Sequence, residues 1–100
     1  MSKIKRPKTY IKVCGVTRVE DAETAVDLGV DAIGVNFHPS SPRFVDVAAA
    51  RAIADLCRGR CTIVGVFVDR SAAEIEDIAH ATMLDVVQLH GNESAADVTD

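Results

Sequence analysis

Lys12-Val13-Cys14-Gly15-Val16-Thr17 is the stretch whose reading decides the fold. A short apolar strand, Tyr10 to Val13, runs into a cysteine, a glycine and then a threonine able to cap a helix. The strand's end places a thiol where a strand-to-helix loop opens. In parallel α/β barrels that end of the sheet carries the active site.

Outward from this stretch the chain alternates strand and helix. Thr17 and Glu20 form a T-x-x-E capping box, which predicts a first helix starting at Thr17. Val19, Ala22, Ala25 and Val26 recur at helical spacing up to Gly29, a helix-ending glycine. A second strand is expected over Ala32–Phe37, and Pro39 and Pro42 make the next segment a loop. Asp46 is the expected N-cap of a second helix, with Ala50, Ile53, Ala54 and Cys57 inward and Gly59 at its end. Thr62–Val68 reads as a third strand. Ser71 and Glu74 make a second capping box for a third helix, with Ile75, Ile78 and Ala79 inward. Val86–Leu89 reads as a fourth strand, and Ser94 and Asp97 begin a fourth helix that Asp100 cuts short. Strand starts at 10, 32, 62 and 86 are each one βαβ unit apart.

Alternation along the strands separates two faces. One parity is apolar: Ile11 and Val13; Ile33, Val35 and Phe37; Val64, Val66 and Val68; Val87 and Leu89. The other is small or polar: Lys12 and Cys14; Gly34, Asn36 and His38; Gly65 and Asp69; Gln88 and His90. Successive side chains of a strand point to opposite faces. The first set is therefore expected beneath helices, and the second in a lumen. A doubly covered sheet would need both faces apolar. The expected architecture is α/β, a partial (β/α)8 barrel. Four parallel strands in order 1-2-3-4 carry helices on one face, as a half-barrel.

Composition narrows the function. One hundred residues make one small domain, and 48% hydrophobic content fills a core. A net charge of −4 gives no footprint for nucleic acid. No apolar run reaches the roughly 18 residues of a membrane span. Residues 1–9 read as a basic, flexible tail, because Lys3, Lys5, Arg6 and Lys8 precede no apolar signal region. Residues 10–100 are the half-barrel. Three cysteines without a C-x-x-C pair read as reduced thiols of a cytoplasmic protein, and no metal set is expected.

Three segments resemble phosphoribosylanthranilate isomerases. They are Lys12–Thr17, which fits K-[IV]-C-G-[IV]-T; Asn36-Phe37-His38-Pro39-Ser40-Ser41-Pro42-Arg43-Phe44-Val45; and Val87-Gln88-Leu89-His90-Gly91. The likeness extends from Tyr10 to Ser94. It implies N-(5'-phosphoribosyl)anthranilate isomerisation in tryptophan biosynthesis, an aldose-to-ketose Amadori rearrangement that needs no metal or organic cofactor. An acid protonates the furanose ring oxygen and the ring opens to a Schiff base. A base then removes the C2 proton.

The resemblance makes Cys14 that base, on the face Lys12 shares. It makes Arg43 the clamp on the anthranilate carboxylate, suited by its planar fork. Asn36, Gln88 and His90 become substrate-positioning groups. It also suggests an interior ion pair for Lys12, although no carboxylate is identifiable as its partner. Asp69 reads as a turn residue, and His38 and His80 as surface residues. The family's aspartate acid and its phosphate loops lie on later strands, with no matching position here.

The expected partner is therefore the small phosphoribosyl anthranilate substrate, with self-association through open sheet edges as a further expectation. The alternatives are a catalytically silent half-barrel that binds ligand weakly or joins a partner half, and another sugar-phosphate barrel on the same scaffold.

Overall fold

The computed structural model describes residues 9–90. The basic N-terminal stretch and the fourth helix expected from Ser94 lie outside the described residues. The elements are β1 (Lys12–Val13), α1 (Val19–Asp27), β2 (Ala32–Asn36), α2 (Val47–Cys57), β3 (Thr62–Val68), α3 (Ala72–Thr82) and β4 (Val86–His90). The strands form one parallel sheet in the order β1-β2-β3-β4. Helix α1 packs on α2 and α2 on α3, so the helices share one face.

Helix starts follow side-chain chemistry where a cap is available. Asp46 accepts from the Ala49 N–H at 2.8 Å and starts α2. Ser71 Oγ accepts from the Glu74 N–H at 3.2 Å, and Glu74 Oε1 accepts from the Ser71 N–H at 3.1 Å, closing the capping box of α3. The box expected from Thr17 and Glu20 does not form. The N-cap falls one residue later, on Arg18, which makes no side-chain cap bond, and α1 begins at Val19. The cause lies upstream. Val16 is buried in the core, and the N–H groups of Gly15 and Val16 both donate to Gly34 O. The chain is thus held extended past the point where Thr17 could turn it. Strand β1 is also shorter than Tyr10–Val13: strand pairing begins at Lys12, the Ile11 N–H donates to the Asp31 side chain, and Tyr10 and Ile11 are exposed.

Two aspartates fasten the strands at their N-terminal ends. Asp31 Oδ2 accepts from the Ile11 N–H at 2.8 Å, while its own N–H donates to Ile11 O at 2.8 Å. Asp85 repeats the arrangement on Ile63, with 2.9 Å to the carboxylate and 3.0 Å in return. Each carboxylate therefore extends a ladder by one rung before its own strand begins.

The core lies between sheet and helices. Ile33, Val35, Phe37, Ile63 and Phe67 meet Ala22, Ala50, Ile53, Ala54 and Cys57 there. The Phe37 and Phe67 rings stack at 5.0 Å. The register corrects one expectation from the sequence. Ile33 pairs with Ile63, and Val35 with Gly65. Thus Ile63, Gly65 and Phe67 lie beneath the helices, and Val64, Val66 and Val68 lie on the opposite, concave face. The alternation assigned to β1, β2 and β4 holds, and that assigned to β3 is inverted. Asp69 leaves the strand in a left-handed conformation (φ 53°), as a turn residue. His80 is exposed as expected, but His38 is half-buried.

Gly65 is small because its neighbours fill the space above it. A Cβ there would overlap Leu84 Cδ1 and come within 3.2 Å of the Phe67 and Phe37 rings. Gly65→Val should therefore destabilise the fold by about 1–3 kcal/mol through overpacking, read as a lower urea midpoint.

The α3 cap predicts a pH effect. Bonds from the Ser71 backbone and hydroxyl, aided by Arg70, hold the Glu74 carboxyl below its ordinary value of 4.5. A carboxylate favoured in the folded state stabilises above its unfolded value, and the gain is lost as pH falls through the lowered folded value. Glu74→Gln should flatten the decline of thermal stability below about pH 4.5, while Ser71→Ala should cost about 1 kcal/mol at neutral pH.

Candidate active site

The C-terminal ends of the strands gather the polar residues of the concave face. Cys14 stands exposed immediately after β1. Gly15 follows with φ +76°, a backbone turn that a side chain would strain. That turn lets Gly15 and Val16 donate together to Gly34 O, at 3.0 and 3.2 Å, and so fixes the loop on β2.

Arg43 arrives from the loop after β2. That loop is ordered locally: Asn36 Oδ1 accepts from the His38 N–H at 2.7 Å, Asn36 O accepts from the Val45 N–H, and Ser41 Oγ accepts from the Arg43 N–H. Arg43 Nη1 then donates to Gly15 O at 3.5 Å. A Cβ on Gly15 would lie 2.9 Å from Nη1, so the guanidinium occupies space that only glycine leaves. The thiol-bearing residue and the guanidinium are thus one residue apart in contact. Asn36 Oδ1 is engaged in folding the loop that delivers Arg43.

Lys12 crosses the sheet. Its Nζ donates to Gln88 Oε1 on β4. Strands β1 and β4 are three strand spacings apart, about 14 Å on a flat sheet. Two side chains bridge that separation because the concave curvature of the sheet makes them converge. The expected ion pair is replaced by a bond to a neutral amide, a partner that a search for carboxylates passes over. His90 ends β4 opposite Val68, on the same face as Gln88, and its backbone alone is described.

The other thiols lie elsewhere. Cys57 is fully buried at the end of α2. Burial pushes its thiol up to about 12, and a hydrogen bond with Cys61 adds to the rise. Among the described residues no group of three or more His, Cys, Asp or Glu could hold a metal ion. No helix among them is long and apolar enough to cross a membrane.

A curved parallel sheet with its described helices on one face, and with a thiol, an arginine and an amide–lysine pair on the other, has the architecture of half a (β/α)8 barrel. The comparisons make that class specific. The family model of N-(5'-phosphoribosyl)anthranilate (PRA) isomerase matches residues 11–99, and the chain belongs to this family. It is 50% identical over 91 residues to an N-(5'-phosphoribosyl)anthranilate isomerase of Pseudomonas fluorescens, covering 91% of this chain and 43% of that protein. It is 47% identical over 87 residues to that of Halorhodospira halophila, covering 87% and 42%. Among solved structures, phosphoribosyl anthranilate isomerase from Thermotoga maritima superposes with TM-score 0.88 at 37% identity, covering 92% of this chain and 45% of that one. The Thermus thermophilus enzyme gives 0.87 at 37%, covering 91% and 46%. The chain spans less than half the length of the relatives it matches.

Exposure and burial predict an order of thiol reactivity. Iodoacetamide at pH 8 should label Cys14 first and Cys57 last, since a thiol raised to about 12 stays protonated there. Peptide mass analysis over time checks this.

Proposed function

We propose that this chain supplies the base and the carboxylate clamp of an N-(5'-phosphoribosyl)anthranilate isomerase. The observation that carries the reading is the meeting of Arg43 with Gly15, directly beside Cys14. A substrate whose carboxylate is gripped by the Arg43 fork has its sugar end offered to the thiol. Cys14 Sγ takes the C2 proton after the ring has opened, leaving an enolamine that becomes the ketone. Gln88 and His90 flank the ribose from β4, and Asn36 acts through the loop that carries Arg43. One structure similar to this chain, at TM-score 0.88 and 37% identity, is of a phosphoribosyl anthranilate isomerase in complex with reduced 1-(o-carboxyphenylamino)-1-deoxyribulose 5-phosphate. That compound bears the carboxyl group, the amine-linked sugar and the phosphate the reading requires.

The proton donor for ring opening and the phosphate loops are assigned to further strands of a complete barrel. The free thiols of Cys14, Cys57 and Cys61 fit a reducing, cytoplasmic setting. In a barrel completed by a C-terminal half from a family member, Cys14→Ala should lower kcat by about 10²–10⁴-fold with little change in KM. A rate within about threefold of the parent rules Cys14 out as the base. Arg43→Ala should instead raise KM by about tenfold or more, since it removes a charged hydrogen-bond partner.

A second reading, a silent half that joins another half, draws on the sheet edges. Val86 and Val87 on β4 and Ile11 before β1 are 40–47% exposed, and open apolar edges are templates for pairing. The hundred residues alone should show no isomerase activity and should sediment as a dimer. A monodisperse, cooperatively unfolding monomer would refute the edge argument.

A further inference from the structure

We propose that Lys12 is a positioning residue that sets a fixed positive charge beside Cys14, and that Gln88 and Gly34 are what hold it there. This rests on the reading of Cys14 as the base and adds to it the device that tunes its surroundings.

Three observations converge. Lys12 Nζ donates to Gln88 Oε1, so an otherwise mobile ammonium is tethered to β4. The lysine stem passes over Gly34, where a Cβ would lie 3.3 Å from Lys12 Cε and 3.5 Å from Cys14 Sγ. Stem and thiol therefore share the space that Gly34 leaves open. Arg43 Nη1 rests on Gly15, the residue after Cys14, so a second cation lies one residue along the chain from the base, again where a glycine leaves room.

The identity of the tether matters. A carboxylate on β4 would hold the lysine equally well, but would cancel its field at the thiol. An amide holds the ammonium without bringing a negative charge of its own. A fixed cation attracts an anionic reagent that approaches the thiol.

The test compares alkylation of Cys14 by iodoacetate, an anion, with alkylation by neutral iodoacetamide. It uses the hundred-residue chain at one pH, with each cysteine followed by peptide mass. A fixed cation beside the thiol raises the iodoacetate-to-iodoacetamide rate ratio. Charges about 6 Å apart in water-like surroundings change such a ratio about threefold. Lys12→Met should lower the ratio at Cys14 about threefold and leave that at Cys61 unchanged. Gln88→Glu keeps size and acceptor, so a merely structural tether would survive it; here it should lower the ratio similarly, with the thermal midpoint preserved. A ratio at Cys14 that stays unchanged in either variant overturns the proposal. Because no turnover is read, this outcome is separate from the fate of Cys14 as base, which Cys14→Ala decides in the completed barrel.

Discussion

The carbonyl of Gly34 accepts two N–H groups, from Gly15 and Val16, and nearly everything at the rim depends on that junction. It holds the first strand-to-helix loop against β2, keeps Val16 in the core and delays α1 until Arg18. It also fixes the point from which Cys14 projects. The same residue, lacking a side chain, leaves the space in which the Lys12 stem and the Cys14 thiol meet. Backbone pairing on one side of Gly34 and absence of a Cβ on the other thus place the thiol and the lysine together. The loop bearing Arg43 is secured to β2 only two residues further on, through Asn36. Three of the site's side chains therefore take their positions from a single strand.

Much of this was readable in the sequence because local chemistry and global packing agree. Asp46 and the Ser71–Glu74 pair cap their helices, and Ala50, Ile53, Ala54 and Cys57 face inward at helical spacing. In β1, β2 and β4 a polar or glycine parity contrasts with an apolar one, so the two faces separate. Strand β3 offers no such contrast. Ile63, Val64, Val66, Phe67 and Val68 are apolar on both faces, and Gly65 resembles a lumen residue while serving as a recess for Phe37, Phe67 and Leu84. A period-2 pattern carries no information where both phases are hydrophobic.

The remaining misreadings have equally local causes. Thr17 and Glu20 have the spacing of a cap, but the tertiary bonds to Gly34 O take the chain past it. The partner of Lys12 is neutral, and charge patterning can show only charged partners. Its position on β4, seventy-six residues away, follows from sheet curvature, which no window of sequence contains. Of the site itself, Cys14 and Arg43 stood out through motif and residue type. Gly15 belongs to the motif and Gly34 to the small or polar parity, but neither pattern shows that the two glycines make room for Arg43 and Lys12.

Asp31 and Asp85 fasten the sheet at the end of the strands farthest from Cys14, Arg43 and Gln88. The aspartate fastenings and the candidate site thus lie at opposite ends of the strands, the division that barrels generally show between stability and active-site faces. Loops at the rim that carries Cys14 and Arg43 can be lengthened or exchanged while the opposite rim keeps the strands in register. A scaffold divided in this way lets selection rework specificity without first having to rebuild the fold.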